Sequence, residues 1–600
     1  MPNNADKEKL QKLGVSSLLD LALLIPKSYE NTYINQSPIL NQYNTLHVKV
    51  LRSNWGPKAL SLKLFSETWD EEIHGVIFSA KPYHRSLFKV GASLHVRGKI
   101  EWNQGKLSII QPIVISQINT IVPKYKTTLQ NRTVIALIKK YLSDESLKKE
   151  GLSEEEINIL LSLHFPTPTQ TIEFEKSGLS AKALHVVKFL EIYNYIKVLS
   201  KKKVDFKAKN ILNSDESDFI QSLPFELTND QKNAITDIKR DFNSIKSARR
   251  IVMGDVGSGK TIVILASVMM AYPRRAVLMA PTTILAKQLF EEAQKFLPKQ
   301  VKSLLLVSKT SKKEDLNQYD FIIGTHALLH RKLPDFDLVM VDEQHRFGTK
   351  QRELINQLSI EEGKHPHFLQ FSATPIPRTM SMIQSSLVNF SFIKETPFEK
   401  DIDTKIIRKA DFKNLTEHIK EEMKEGRQII VIYPLVEVSD VIEYQSIEES
   451  RAYWEKNYEN VFVTYGADKN KEEILENFRD EGSILIATTL VEVGISLPNL
   501  STIVIVGAER LGLATLHQLR GRVSRNGLKG YCFLYTNQNQ SERLSEFSKT
   551  DNGFDIAELD LRYRKGGDVL GGIRQSGQKF EFYDMEEEIL IEAKKRLGKL

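Results

Sequence analysis

The chain has 600 residues, more than one hydrophobic core accommodates, and at about 150 residues per domain this length predicts roughly four domains. It is 41% hydrophobic and 26% charged, and because no apolar run nears the roughly 18 residues that cross a bilayer, insertion in a membrane is not expected. The amino terminus lacks the apolar segment of a secretory signal, and the single cysteine, Cys532, can form no disulfide within the chain. We therefore expect a cytoplasmic protein.

Positive charge is concentrated in one region. The net charge of +7 is a small excess over so long a chain, but residues 41–125 contain eleven Lys and Arg against five Asp and Glu. This local excess predicts a site for a polyanion.

The amino-terminal region, residues 1–40, precedes a stretch of short predicted strands. Apolar and polar residues alternate over residues 60–64 and 94–100, and turns at 54–57 and 103–105 separate the strands. The length fits a five-stranded barrel of the oligonucleotide-binding (OB) type over residues 41–125, although any other small barrel would fit nearly as well. Helical spacing then predicts a helical connector over residues 126–225.

Two predicted α/β domains follow. Strand-length apolar runs alternate with helices over residues 226–395 and again over 396–545, a pattern typical of parallel sheets. Residues 546–600 form a carboxy-terminal hairpin and tail in this division. The predicted fold is therefore a multidomain α/β protein with two RecA-like parallel-sheet domains behind a small OB-like barrel and a helical connector.

A phosphate loop stands at the start of the first α/β domain. Residues 254–261 read Gly-Asp-Val-Gly-Ser-Gly-Lys-Thr between a predicted strand and a predicted buried helix. Gly254, Gly257 and Gly259 allow a tight turn that aims N–H groups at phosphate oxygens, Lys260 can reach the β and γ phosphates, and Thr261 can bind Mg²⁺. The alternative is a Gly-rich turn before a core helix. The pattern predicts ATP and Mg²⁺ as cofactors.

A pair of carboxylates follows the predicted strand 338–341. Asp342 and Glu343 stand where a parallel sheet binds its ligands. Asp342 can hold Mg²⁺ and Glu343 can orient or deprotonate the attacking water. An ordinary solvated acidic turn is the alternative.

Arginines in the second α/β domain can supply the cation that phosphoryl transfer needs. Gln518 and Arg520 are followed by Arg522 and Arg525, and the last two share a helical face. We expect Arg522 and Arg525 to act as arginine fingers when the domains close, with Gln518 beside them. The alternative is a basic surface helix.

These segments, together with shorter ones, occur in the order found in superfamily 2 helicases. The shorter segments are residues 227–231, 280–282, 324–326, 372–374 and 487–489. Residues 342–348, 373–379, 491–494 and 509–514 are similar to the RecG family of branched-DNA translocases and to its relative, the transcription-repair coupling factor. Residues 13–15 and 20–29 resemble the amino-terminal part of RecG proteins, and the chain is too short for the coupling factor's additional domains.

The resemblance to the RecG family implies further roles. Gln231 is expected to read adenine, and residues 372–374 to link hydrolysis to domain closure. The barrel would be a wedge that splits a fork, and its stacking aromatics would be Phe78 and Tyr83. Lys81 and Arg85 would lie beside them. Packing of the two aromatics in the barrel core is the alternative.

The carboxy-terminal segment resembles the family's translocation motif, and Arg562, Arg574 and Gln575 are the candidates there. A Gly-rich basic tail is the alternative. The chain departs from the family pattern at Ser496, Ser524 and Ile573, where aspartate, glycine and threonine are usual.

The sequence thus predicts an ATP-driven translocase that remodels branched double-stranded DNA such as stalled forks and junctions. Branched DNA is the expected partner, a single-strand-binding protein is a further candidate partner, and a monomer is expected. One alternative is a DExH helicase acting on RNA or single strands. The other is a nucleic-acid-binding module with a degenerate motor.

Overall fold

The computed structural model forms two compact units, one of residues 1–198 with 578–600 and one of residues 199–577. It describes residues 4–56, 59–103, 105–308, 310, 313–374, 376–398, 400–436, 444–466, 468–488, 497–524, 527–567 and 580–598.

The first unit contains a closed five-stranded barrel. Its strands run in the order β2-β3-β4-β6-β5, with a helix between β4 and β5, as in OB folds. Leu60, Leu62 and Leu64 point into the barrel because side chains alternate along a strand. The first elements of the chain are α1 (Asn4–Lys12), α2 (Leu18–Ala22), β1 (Ser28–Asn31), β2 (Tyr43–Trp55), β3 (Ala59–Ser66), β4 (Glu71–Phe78), α3 (Pro82–Leu87), β5 (Ser93–Asn103), β6 (Lys106–Val114) and β7 (Ile121–Lys124).

Helices follow the barrel. Capping residues start three of them, since Ser143, Ser153 and Thr167 each accept from a main-chain N–H one turn into the helix. The helices are α4 (Asn131–Tyr141), α5 (Asp144–Lys149), α6 (Glu154–His164), α7 (Pro168–Ser177) and α8 (Ala181–Lys201).

The second unit begins with a lobe built on a seven-stranded parallel sheet of order β11-β12-β10-β13-β15-β9-β16. Its central strands are buried along their whole length because helices cover both faces. The elements of this first lobe are β8 (Lys207–Ala208), α9 (Ser217–Ser222), α10 (Asn229–Phe242), β9 (Arg249–Gly254), α11 (Lys260–Ala271), β10 (Ala276–Met279), α12 (Thr283–Phe296), β11 (Ser303–Leu306), β12 (Phe321–Gly324), β13 (Leu338–Asp342), α13 (Thr349–Gln357), β14 (Lys364–His365), β15 (His367–Ser372), α14 (Arg378–Gln384) and β16 (Asn389–Ile393).

The second lobe contains a six-stranded parallel sheet of order β17-β22-β21-β18-β20-β19. Its elements are β17 (Ile402–Ile407), α15 (Phe412–Lys424), β18 (Gln428–Tyr433), α16 (Ile447–Asn457), β19 (Val461–Thr464), α17 (Lys471–Glu481), β20 (Ile484–Thr488), β21 (Leu500–Val506), α18 (Leu513–Arg520), β22 (Gly530–Tyr535), α19 (Glu542–Ser548) and α20 (Gly553–Gly567). The two lobes touch, since Lys287 of α12 and Glu476 of α17 form an ion pair 2.5 Å long.

The last helix, α21 (Glu587–Arg596), belongs to the first unit. The segment before it is held by Glu191 of α8, whose carboxylate accepts three main-chain N–H groups at 2.7–2.9 Å. The guanidinium of Arg596 packs on the rings of Phe189 and Tyr193. The sequence division placed residues 546–600 together and did not foresee this packing.

The predicted fold class is confirmed, since a closed barrel is followed along the chain by two parallel sheets. The domain boundaries stay predictions. None of the helices formed by the described residues is both long and apolar enough to span a membrane.

Candidate functional site

The phosphate loop, residues 254–261, joins β9 to α11. Gly257 and Gly259 have φ of +79° and +77°, a region that side chains other than glycine rarely adopt. A Cβ on Gly259 would collide with Nε2 of Gln231. The loop therefore turns tightly into the first turn of a buried helix, as an anion site at a helix amino terminus requires.

Lys260 lies inside this loop. Its ammonium donates to the carbonyl oxygens of Gly254 and Asp255, at 2.9 Å each. Burial lowers the pKa of Lys260, and the nearby carboxylates of Glu343 and Asp342 oppose that change. The cation is thus held beside the acidic pair rather than in solvent.

Asp342 ends β13 at the carboxyl edge of the sheet. Burial, together with the adjacent Glu343 carboxylate, raises the pKa of Asp342 to about 7, and the Lys260 ammonium opposes the shift. A cation placed beside Asp342 would lower the pKa of this carboxyl group, because a positive charge stabilises its ionised form.

Glu343 adopts a left-handed backbone conformation with φ of 50°. Its Oε1 accepts from the main-chain N–H of Ala373 at 2.7 Å, and its Oε2 lies 3.3 Å from Nδ1 of His345. Ser372 and Thr374, on either side of Ala373, share a hydrogen bond between their hydroxyl groups at 2.9 Å. The 372–374 segment therefore orients the carboxylate.

The residues of the loop fit a nucleotide phosphate with its metal ion. The hydroxyl of Ser258 is buried and makes no hydrogen bond to any described residue, so a polar atom in the loop is unsatisfied. Thr261 lies half-buried in the first turn of α11 and Asp342 ends β13. Hydroxyl and carboxylate oxygens suit Mg²⁺.

Gln231 is close to the loop but its amide is already engaged. Oε1 accepts from the N–H of Thr228 at 3.0 Å and closes a capping box at the start of α10. Nε2 donates to the carbonyl of Ser258 at 2.8 Å. In this structure Gln231 fixes the phosphate loop, and its role in reading adenine stays a prediction.

Helix α18 of the second lobe ends against the phosphate loop. A Cβ on Gly521 would lie 3.0 Å from side-chain atoms of Val256, so the Val256 side chain packs closely against Gly521. Arg522 follows Gly521 directly and is half-buried, whereas Arg525 lies outside the described residues. Arg520 is instead a buried structural cation, which donates to the carbonyls of Phe547 and Thr550.

Gln518 lies across a small cavity from the segment that orients Glu343. Besides Gln518, the cavity is lined by Ala373, Thr374, Ala514, His517, Gly553, Ile556 and Ala557. Gln518 thus lies near the segment that orients Glu343, and its catalytic role stays a prediction.

A buried pair that the sequence did not indicate also joins the lobes. Nε2 of His517 lies 2.5 Å from Oδ1 of Asp255, the second residue of the phosphate loop. Burial opposes ionisation of Asp255, yet hydrogen bonds, first from His517 and also from the N–H of Gly553, hold the pKa of this carboxyl well below its usual range. No local pattern could reveal this contact, because its residues lie far apart in the chain.

The barrel places its candidate aromatics on the surface. Phe78 and Tyr83 are 52% and 56% exposed, so packing in the barrel core is excluded for both. Lys81 and Arg85 are exposed nearby. The guanidinium of Arg85 lies 5.7 Å from the ring of Trp55, a half-exposed side chain at the tip of the β2–β3 hairpin. Trp55 is thus a further exposed aromatic beside these candidates, and its place in the predicted turn 54–57 could have indicated it.

The other carboxy-terminal candidates are described only in part. Arg562 is exposed on α20 and pairs with Glu546 at 2.7 Å. Arg574, Gln575, Ser496 and Ile573 lie outside the described residues. Ser524 is described and has φ of 61°, which accounts for a preference for glycine at this position.

Comparisons with known proteins show which family the chain belongs to. A model of the DEAD/DEAH box helicase family matches residues 228–383, and one of the helicase conserved C-terminal domain matches 410–527. ATP-dependent DNA helicase RecG of Helicobacter pylori (strain ATCC 700392 / 26695) is 45% identical over 98% of this chain and 96% of its own length. The chain belongs to the RecG family of ATP-dependent DNA helicases. The RecG of Streptococcus pneumoniae serotype 4 is 32% identical over 98% of this chain and 93% of its own length.

A solved RecG structure shares the fold. The structure of RecG bound to a three-way DNA junction has a TM-score of 0.59 and 25% identity, and the match covers all of this chain and 84% of that one. The predicted family is therefore confirmed. The individual site residues stay predictions, since the geometry shows where they lie and not what they bind.

Proposed function

We propose that this RecG-family chain is an ATP-dependent double-stranded DNA translocase that remodels branched DNA such as forks and junctions. The observation that carries the proposal is the contact of the phosphate loop with the arginine-bearing end of α18, where Gly521 packs on Val256. A nucleotide in this loop would touch both lobes, so that hydrolysis and lobe movement are coupled.

The first lobe supplies the groups that hold the phosphates. Main-chain N–H groups of residues 257–261 and the Lys260 ammonium bind the phosphate oxygens. Thr261 and Asp342 would hold Mg²⁺, which neutralises charge on the phosphates when bound. Glu343, oriented by Ala373, holds the attacking water and accepts its proton.

The second lobe completes the site. Arg522, next to Gly521 at the loop, stabilises the negative charge of the transition state, and we assign the same role to Arg525. Gln518, across the cavity from Thr374, positions this segment. The cation arrives only when the lobes are together, so hydrolysis depends on closure.

The barrel supplies the surface for DNA. Exposed Phe78 and Tyr83 offer faces on which bases can stack, and Lys81 with Arg85 contacts phosphates. The relative solved on a three-way DNA junction supports the branched substrate. The alternative helicase on RNA or single strands is not favoured. A monomer, a single-strand-binding partner and a cytoplasmic location remain predictions.

The test compares ATP hydrolysis with forked, linear duplex and single-stranded DNA. We expect the fork to stimulate hydrolysis most and Lys260→Ala to abolish it. Equal rates on the three DNAs would overturn the branched substrate. Absence of hydrolysis in the wild-type protein would favour a binding module.

Binding to DNA is separable from hydrolysis in the same experiment. Fork binding should persist in Lys260→Ala and weaken steeply as salt rises, because phosphate contacts release counterions. Binding that is independent of salt would contradict a role for the basic barrel surface.

A further inference from the structure

Asp255 is the residue of the phosphate loop whose side chain joins three parts of the motor. Oδ1 lies 2.5 Å from Nε2 of His517 on α18, and Oδ2 accepts from the N–H of Gly553 at 2.9 Å. Oδ1 also accepts from the N–H of Val256 at 2.6 Å. The side chains of Asp255 and His517 are only 8% and 5% exposed, so these bonds are shielded from water.

The hydrogen-bond partners of His517 determine the tautomer of its imidazole ring. Nδ1 lies 3.3 Å from Nη2 of Arg520, and a guanidinium can only donate. Nδ1 therefore accepts, and the ring hydrogen is on Nε2, which donates to Asp255. Arg520 is itself held by the carbonyl of Thr550 at 2.6 Å and packs on the ring of Phe547. The donor that faces the loop is thus held by a fixed chain of contacts.

The backbone around the carboxylate has no room to move aside. A Cβ on Gly553 would lie 2.7 Å from Nε2 of His517 and 2.8 Å from Oδ1 of Asp255, so only glycine fits there. One residue along the loop, Val256 packs directly on Gly521. A shift of the loop must therefore shift α18 and the start of α20, or break buried hydrogen bonds.

Helix α20 extends these contacts away from the phosphate loop. It runs from Gly553 to Gly567 and carries Arg562, a candidate residue of the predicted translocation motif. Near its start, Phe554 packs edge-on against Phe392, and Glu558 accepts from the N–H of Arg378 at 2.5 Å. Both contacts are with the first lobe. A movement of the first lobe, including its phosphate loop, is therefore transmitted to α20.

We propose that Asp255 is a positioning residue that ties the phosphate loop to α18 and α20 and so couples ATP turnover to movement of DNA. This inference rests on the proposed translocase function. Asp255 has no part in holding the phosphates, because its carboxylate faces the second lobe. Loss of the Asp255 carboxylate should therefore reduce the DNA unwound per ATP and leave ATP binding almost unchanged.

The test uses substitutions on both sides of the contact. In Asp255→Asn one carboxylate oxygen becomes an amide NH₂, so either Gly553 or both His517 and Val256 lose their acceptor. We expect base pairs unwound per ATP to fall about tenfold, and the affinity for a fluorescent ribose-labelled ATP to change less than about threefold. His517→Ala should match this loss, and the double variant should be no worse than either single variant.

Two further variants separate coupling from structural damage. His517→Gln keeps a donor toward Asp255 and an acceptor toward Arg520, so it should restore most of the unwinding per ATP. Glu476→Gln removes the exposed ion pair with Lys287, which also joins the lobes but lies away from the loop, and should have no effect.

Three results would overturn the inference. They are unchanged unwinding per ATP in Asp255→Asn, additive losses in the double variant, and equal loss in Glu476→Gln. A wild-type protein without DNA-stimulated hydrolysis would overturn the proposed function as well, so the two failures are distinguishable.

Discussion

The main-chain N–H of Ala373 donates to Oε1 of Glu343 at 2.7 Å. This bond spans neighbouring strands of the first lobe, since Glu343 follows β13 and Ala373 follows β15. Ala373 and Thr374 also line the cavity that contains Gln518 of the second lobe. The carboxylate proposed to activate water is thus oriented by a segment that contacts both lobes, and closure can adjust its position.

Glu343→Gln tests this assignment with little change of shape. The amide oxygen can still accept from Ala373, but the side chain can no longer take a proton. We expect fork-stimulated hydrolysis to fall at least about 100-fold, with ATP affinity changed by less than about threefold. Rapid-quench hydrolysis and equilibrium ATP binding measure the two quantities. A wild-type rate would remove Glu343 from the catalytic step.

Gly259→Ala tests the geometry of the phosphate loop. Alanine at φ +77° is strained, and its Cβ would collide with Gln231. We expect ATP binding to be lost. Gly14 is a matched control, because its φ is +72° but an added Cβ meets nothing within 4 Å. Gly14→Ala should cost about 1 kcal/mol of stability and leave ATP binding intact. Normal ATP binding by Gly259→Ala would contradict the assignment of this loop.

Much of the fold follows from local patterns in the sequence. The alternation that buries Leu60, Leu62 and Leu64 predicts a small β-domain, and strand-length apolar runs between helices predict the parallel sheets. The phosphate loop is equally local, because a strand, eight residues and a helix are contiguous. Such features need no knowledge of distant residues.

The remaining parts of the site depend on contacts between distant residues. His517 and Asp255 are 262 residues apart, and neither belongs to a spacing that predicts their contact. Arg520 looks like its neighbours Arg522 and Arg525 in the sequence, yet the packing of α18 against Phe547 buries it. Amphipathic spacing predicts which face of a helix a residue lies on. It does not predict which distant residues pack against that face.

The exposed aromatics of the barrel should matter for DNA and not for stability. Phe78→Ala and Tyr83→Ala should each weaken fork binding by about 5- to 150-fold, the range expected for loss of one stacked base. Thermal unfolding should change little, since both side chains are more than half exposed. Val90, 66% exposed, is the control, and Val90→Ala should bind forks normally. Normal fork binding by both aromatic variants would remove them from the DNA surface.

His164 should make the first unit sensitive to acid. Its Nδ1 lies 2.9 Å from the hydroxyl of Tyr125 and its Nε2 2.8 Å from the carbonyl of Ala22, and burial lowers the pKa of His164 to about 4. Between pH 6.5 and 4 the unfolded chain binds a proton that the folded protein does not. Stability is therefore present above pH 6.5 and falls as the pH drops toward 4, by roughly 3 kcal/mol.

Hydrogen exchange measures this effect locally. Amides of α6 should lose protection between pH 7 and pH 5 once intrinsic exchange rates are corrected. His164→Gln should lower protection at pH 7 but show a smaller change with pH. An equal pH dependence in the variant would assign the acid sensitivity to other groups.

Glu191 should hold the segment that leads into α21. Its carboxylate accepts from the N–H groups of Glu581, Phe582 and Tyr583, and bonds to a charged acceptor are each worth about 1.5–3 kcal/mol. Glu191→Ala leaves these donors to water, so their amides should exchange at least about tenfold faster. Glu191→Gln should give an intermediate exchange rate, because a neutral oxygen still accepts.

His185→Ala is the control, on the same helix. His185 lies 3.9 Å from Glu592, so this substitution removes only an exposed contact and should leave the exchange of residues 581–583 unchanged. Equal exchange in Glu191→Ala and the wild-type protein would show that α21 alone holds the segment.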